Sequence, residues 1–270
     1  METAVLFKII QRRFKFRNPN HLTVLPKNFI YTENEYKSAR SYIQDLAKYN
    51  IKYSHPEKDD YPEEFFKMKE PPLFFEYYGE PIWKNTEFIS VVGAREIHSI
   101  TEQWLRAHLS DFVKNNKVGI VSGGAKGVDQ LSHLIAIKNL APTLFILPSG
   151  LLHLYPQSLN LIKTEHMNVN ICFLSEFEIH QKLHKSHFYF RNRLIAALGG
   201  ITLVAQASLK SGSLLTVHHC LEMGKAVVTI PAHPEMSGFD GNLKLLYDGA
   251  YLVRNFIDLH EFWKAEHWPY

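Results

Sequence analysis

The stretch Lys117–His133, KVGIVSGGAKGVDQLSH, constrains this chain more than any other. Val118 to Val121 is a short apolar run broken only by Gly119, the composition of a buried strand. Ser122-Gly123-Gly124-Ala125-Lys126-Gly127 follows with little side-chain bulk, so another backbone or a ligand can come close. From Val128 the apolar residues Leu131, Leu134, Ile135 and Ile137 fall at helical spacing. A glycine turn feeding a helix leaves backbone N–H groups facing outward, a concavity suited to phosphate, and Lys126 adds a full charge. A tight strand-to-helix turn with no ligand fits the same residues.

The chain repeats this unit. Phe88–Val92, Thr143–Leu147, Val169–Leu174, Ile201–Ala205 and Ala226–Ile230 read as strands, while Ile100–Val113, Gln157–Glu165, Arg191–Leu198 and Ser213–Met223 read as helices. Wholly apolar strands alternating with helices predict a doubly wound α/β fold, with a mostly parallel sheet covered on both faces. Ligands on such sheets sit outside the carboxyl ends of the strands, where every Gly-rich or basic loop of this chain falls. Residues 1–85 differ in character, being rich in aromatic residues and charge. Glu33–Tyr49 has helical spacing, and Tyr61-Pro62, Pro71-Pro72 and Pro81 punctuate an irregular approach to the first strand. Gln11–His21 interleaves Arg12, Arg13, Lys15 and Arg17 with Phe14 and Phe16. That pattern suits nucleic acid, but also a strand with one solvated basic face, which is the expectation here. The division expected is a small N-terminal accessory region over 1–85 and an α/β domain over 86–270.

Composition excludes several classes. A hydrophobic content of 46% with 21% charged residues is that of an ordinary globular protein, and a net charge of +3 means a polyanion must be met by a local patch. Cys172 and Cys220 lie in apolar contexts and read as buried thiols of a reducing cytoplasm. No apolar run of about eighteen residues suggests a membrane span. The fifteen histidines are scattered, without metal-ligand spacing. Neither G-x-x-x-x-G-K-[ST] nor G-x-G-x-x-G at a strand-to-helix turn occurs, so no nucleotide cofactor is expected. Asp129, Glu176 and Glu222 read as helix-capping and loop-fixing groups, and no catalytic residue is expected.

The polar segment Glu178–Arg193, EIHQKLHKSHFYFRNR, is read as a loop leading into the helix at Arg191. It sets Lys182, Lys185, Arg191 and Arg193 against one acid, Glu178, around Phe188, Tyr189 and Phe190. A groove that pairs cations with phosphates and rings with unstacked bases needs both sets of residues.

Several segments, in order, resemble the DprA (Smf) DNA-processing family. They are Val91-Val92-Gly93-Ala94-Arg95, Ser122 to Asp129, Leu154-Tyr155-Pro156, Ser175-Glu176-Phe177, Phe188 to Arg193, Ser211-Gly212-Ser213-Leu214 and Gly241-Asn242 through Gly249-Ala250. The resemblance runs from about Tyr61 to about Val253. It implies an extended Rossmann-like domain that binds single-stranded DNA, forms a homodimer and hands the strand to the RecA recombinase in natural transformation, without catalysis. It further implies a DNA site at Arg95, Lys185, Phe188, Asn192 and the Gly123–Gly127 loop, with Gly124 and Lys126 inside it. The Ser211-Gly212-Ser213 turn is implied as a further wall, and Lys182, Arg191 and Arg193 join the set from the basic segment. Two departures stand out. The family's frequent Phe-Pro before Arg-Asn-Arg is Phe188-Tyr189 here, and its Gly-Thr-Gly turn is Pro148-Ser149-Gly150. Many members carry a C-terminal winged helix, which is expected to be absent from a chain ending at Tyr270. The competing expectation is a nucleoside-monophosphate phosphoribohydrolase, or a nucleotide-sensing module with the same pocket. In the first of these the acid Glu222 falls six residues beyond Thr216 instead of three.

Overall fold

The structure, a computed structural model, describes residues 1–14, 22–166 and 170–267. Lys15, Phe16 and Arg17 of the basic N-terminal stretch, and Val169 at one expected strand start, lie outside the described residues.

Among the described residues nine strands form one sheet: β1 (Lys52–Ser54), β2 (Phe75–Tyr78), β3 (Phe88–Gly93), β4 (Gly119–Ser122), β5 (Thr143–Ile146), β6 (Ile171–Ser175), β7 (Gly199–Gln206), β8 (Val227–Thr229) and β9 (Tyr251–Leu252). Their order is β1-β2-β6-β5-β4-β3-β7-β8-β9. The contacts from β6 across to β9 are parallel, and only β1–β2 and β2–β6 are antiparallel. The central strands are buried on both faces, which is why they read as mostly apolar runs. Successive units climb one way from β3 through β4, β5 and β6, and the other way through β7, β8 and β9. The sheet therefore has its switch point between β3 and β7, where an open α/β sheet places its ligand crevice. The doubly wound, mostly parallel architecture expected from the sequence is the one observed.

The helices are α1 (Glu2–Phe14), α2 (Glu33–Leu46), α3 (Glu63–Phe66), α4 (Ser99–Trp104), α5 (Ser110–Asn116), α6 (Val128–Lys138), α7 (Leu159–Glu165), α8 (His187–Leu198), α9 (Ser213–Glu222), α10 (Asp240–Tyr247) and α11 (Phe256–His267). A π-turn over Leu105–Leu109 joins α4 to α5. One core packs α8, α9 and the Tyr61–Phe65–Trp83 cluster against one face of the sheet. The opposite face carries the π-turn, α5, α6 and α11. A third cluster joins α1, α2 and α7 to β5 and β6.

Three sequence expectations change. Residues 11–14 end a helix, not a strand, because Ala4, Val5, Phe7, Ile9 and Ile10 bury a wide helical face. The segment before Arg191 is not all loop: α8 begins at His187 and carries Phe188, Tyr189 and Phe190 on its first turn. Residues 1–85 also feed the main sheet, supplying β1 and β2. They are tied in by charge as well. Lys8 is wholly buried, and its Nζ donates to Gln11 Oε1 at 3.0 Å and Glu76 Oε1 at 3.2 Å. Gln11 Nε2 donates to the Glu176 carbonyl at 3.0 Å, and Arg12 Nε meets Glu178 Oε1 at 2.6 Å. A buried cation needs such partners, so α1 is locked against the neighbouring strands β2 and β6.

Candidate nucleic-acid interface

A cleft of about 650 Å³ opens at the switch point, floored by the ends of β3 and β7. Of the residues expected at a DNA site, it gathers Arg95, Phe188, Arg191, Asn192, Ser211, Gly212 and Ser213. They come from three chain segments more than a hundred residues apart end to end, brought together because β3 and β7 are neighbours and α8 and α9 flank β7.

Phe188 is half-buried, with two guanidiniums beside its ring. The Arg95 guanidinium carbon lies 5.6 Å from the ring centroid and that of Arg191 lies 5.7 Å away. Tyr155, 41% exposed, meets the same ring edge-on at 6.4 Å. A cation near an aromatic face is attracted by the ring quadrupole, so ring and cations hold one another in place. Arg95 is exposed at the rim and Arg191 is buried in the wall. The Arg191 side chain lies against Gly123, where an added Cβ would fall 1.4 Å from Nη1, so only glycine leaves room for it. Burial lowers the Arg191 pKa to about 10, partly countered by the Asp129 carboxylate, and the group stays charged at neutral pH.

The remaining wall is polar. Ser213 Oγ donates to the Gly93 carbonyl at 3.0 Å, and Asn192 Nδ2 to the Gly212 carbonyl at 3.4 Å, fixing the turn that starts α9. Nothing lies within 4 Å of a Cβ built on Gly212, so this turn faces open space. The positive end of the α9 dipole thus borders the cleft.

The other expected residues lie elsewhere. At Gly127 φ is +90°, and an added Cβ would fall 2.3 Å from the Ala94 carbonyl oxygen. Val128 N donates to that same oxygen at 3.0 Å, and Ala125 N to Asp129 Oδ2 at 3.4 Å. The room made by this glycine turn is filled by neighbouring backbone and by Arg191. Gly123, Gly124, Lys126 and Gly127 accordingly do not line the cleft, and Lys126 is exposed beside it. Lys182 and Lys185 are exposed on the loop before α8, outside the cleft lining. Arg193 is turned inward: it is 5% exposed, its Nη2 donates to Glu176 Oε1 at 2.8 Å and its Nη1 to the Phe190 carbonyl at 3.0 Å. Two residues after Arg191 on a helix, it faces nearly the opposite way.

Sequence reasoning placed neither Asp129 nor Gln206 in the site. Asp129 lines the cleft and is 7% exposed; burial raises its pKa to about 6, against the pull of Arg191 and of the Ala125 and Gly123 amides. Gln206 holds the rim, its Oε1 accepting from His98 N at 2.9 Å and its Nε2 donating to the Glu96 carbonyl at 3.4 Å. The position of Asp129, just inside the helix after the glycine turn, was a visible capping signal; Gln206 had none. Among the described residues no cluster of metal-ligating side chains occurs, and no helix is long and apolar enough to cross a membrane. Cys172 and Cys220 are buried free thiols, as expected.

These features define a doubly wound α/β protein whose switch-point crevice presents arginine charge, one aromatic ring and a helix N-terminus. The chain belongs to the DNA recombination-mediator protein A family, whose model matches residues 52–264. It is 34% identical to the DNA processing protein DprA of Bacillus subtilis over 173 residues, 64% of this chain and 58% of that one. Against the DprA of Streptococcus pneumoniae the identity is 30% over 201 residues, 74% of this chain and 70% of the relative. The match thus spans little more than half of the B. subtilis protein and 54% of the Synechocystis Smf protein. Among solved structures, the S. pneumoniae DprA superposes with a TM-score of 0.76 at 24% identity, covering 100% of this chain and 95% of that one, a likeness of fold. DNA processing protein A of Helicobacter pylori, solved for its single-stranded DNA binding mode, gives 0.70 at 27% identity, covering 80% of this chain and 97% of that one.

Proposed function

We propose that this protein binds single-stranded DNA in the switch-point cleft, protects the strand and hands it to the RecA recombinase during natural transformation, acting as a homodimer and without catalysis. The observation that carries the DNA reading is Phe188 held between Arg95 and Arg191 in a crevice at the sheet's switch point. A half-exposed ring offers a face to an unstacked base, and the flanking cations offer charge to its phosphates. The H. pylori relative's single-stranded DNA binding mode supports the same substrate. The RecA hand-off and the homodimer rest on family membership. They are tested by stimulation of RecA filament assembly and by sedimentation. For the DNA site, Arg95→Ala should weaken oligothymidylate binding and reduce the slope of log affinity on log salt by roughly 0.7. An unchanged slope and affinity remove Arg95 from the phosphates.

The phosphoribohydrolase reading finds less support. Glu222 ends α9, nine residues past Ser213 and so roughly 13 Å along the helix from the cleft. It is occupied with His218 at 3.6 Å and His219 at 3.3 Å. No free base should be released from a nucleoside monophosphate. Release at an enzymatic rate that Glu222→Ala abolishes would favour the hydrolase.

A further inference from the structure

Arg191 is a buried cation in the cleft wall that is short of protein partners. It is 5% exposed, yet its Nε is buried without a hydrogen-bond partner. Asp129 acts on its charge but forms no close ion pair with it among the described residues, and Arg95 acts with the opposite sign. Arg193 two residues on is equally buried and its Nε also lacks a partner, but its two Nη groups are met by Glu176 at 2.8 Å and by the Phe190 carbonyl at 3.0 Å, bonds for which Arg191 has no counterpart among the described residues. Buried guanidiniums cost free energy unless their donors are satisfied, and the fork suits an oxyanion. Arg191 also lines the cleft, so an oxyanion bound there comes within reach of its guanidinium. The side chain is also fixed before anything binds. Gly123 leaves a space that the guanidinium fills, with Nη1, the guanidinium carbon and Nη2 at 1.4, 2.2 and 2.5 Å from a would-be Cβ. The Phe188 ring bounds it on another side at 5.7 Å.

We propose that Arg191 is a preformed phosphate seat: its guanidinium, braced by Gly123 and Phe188, takes one phosphate of the bound strand inside the cleft. This rests on the reading that the cleft takes single-stranded DNA. It assigns the anion-binding role to a buried side chain and not to the amides of the glycine turn and helix start, where Ala125 N is spent on Asp129 and Val128 N on Ala94. It also gives Gly123 a function, which is to make room for the fork. Arg95 at the rim then meets a neighbouring phosphate through solvent, and Phe188 meets the base between them.

Two variants test the seat without removing charge from the protein. Arg191→Lys keeps a cation beside Asp129 but loses the fork, and Gly123→Ala keeps Arg191 but displaces it. Each is first melted to show that it folds, then titrated with labelled oligothymidylate. Inorganic phosphate is used separately as a probe of the empty seat, read by melting temperature. The seat predicts that phosphate raises the melting temperature of the unaltered protein and not that of Arg191→Lys. It also predicts a loss of affinity for oligothymidylate of roughly 10- to 100-fold in each variant, the loss of a charge-assisted hydrogen bond. Either folded variant binding oligothymidylate as tightly as the unaltered protein overturns the seat, as does phosphate stabilising Arg191→Lys equally. Absence of any phosphate shift in the unaltered protein overturns it too, whether or not the variants fold. If the unaltered protein shows no preference for single strands, the functional reading fails, and the phosphate arm alone decides the seat.

Discussion

Phe188→Ala separates a binding ring from a core ring. The side chain is half-buried at the cleft, unlike Phe145 or Phe173, which are 0% and 1% exposed in the third core cluster. Within the protein the ring holds two cation contacts, with Arg95 and Arg191, and one edge contact with Tyr155. Each cation contact contributes about 0.5–1 kcal/mol, so the folded state loses about 1–2 kcal/mol on truncation. A Phe in a closed core would lose about 3–5 kcal/mol. Stacking of one base on the ring contributes about 1–3 kcal/mol, which predicts oligothymidylate affinity falling by about 5- to 150-fold. Stacking is barely screened, so the loss should stay constant as salt rises, whereas losses at Arg95 shrink. Urea unfolding and fluorescence anisotropy on one preparation of Phe188→Ala give both quantities. A stability loss above about 3 kcal/mol together with unchanged affinity per folded molecule refutes the reasoning and places Phe188 in the core.

Other perturbations follow from the same geometry. Gly127→Ala combines a positive φ with a 2.3 Å approach to the Ala94 carbonyl, and should cost at least about 2 kcal/mol in urea unfolding; a smaller loss shows that the turn relaxes. Lys8→Met strands the buried Glu76 carboxylate and should destabilise by about 3–5 kcal/mol, with part recovered in Lys8→Met/Glu76→Gln. An additive double variant contradicts the pairing. Asp129, with its folded pKa raised to about 6 from 3.8, favours its neutral form in the native state, so its contribution is present at low pH and lost as pH rises from about 4 through 6. The unfolding free energy of Asp129→Asn relative to the unaltered protein should therefore rise by about 2 kcal/mol between pH 4 and pH 7.5; a pH-independent difference refutes the shift.

The parallel sheet was legible because strands buried on both faces show as mostly apolar runs without the alternation of a half-exposed strand, as β3 to β8 do. β1 and β2 were missed because they lie in an aromatic, proline-punctuated stretch without the strand–helix alternation, and β2 pairs with β6, joining residues about a hundred positions apart. The start of α8 was hidden for a different reason. Its inward positions there are His187, Arg191 and Asn192, polar side chains buried by the cleft and its partners, so apolar periodicity emerges only from Leu194. The glycine turn shows the limit most clearly. Small residues at 122–127 establish that something approaches closely, but Ala94 and Arg191 are distant in sequence, and nothing local says that protein and not ligand fills the space. Arg191 and Arg193 look equivalent in sequence; two residues apart on one helix they face nearly opposite ways, one to the cleft and the other to an acid.

The most direct test of the central claim is the affinity of the protein for an oligothymidylate and for a duplex of equal length, measured from about 50 to 200 mM salt. Binding through a ring flanked by arginines predicts tighter binding to the single strand at every salt concentration, with affinity falling as salt rises. Equal affinity for strand and duplex at physiological salt, or binding indifferent to salt, would contradict it.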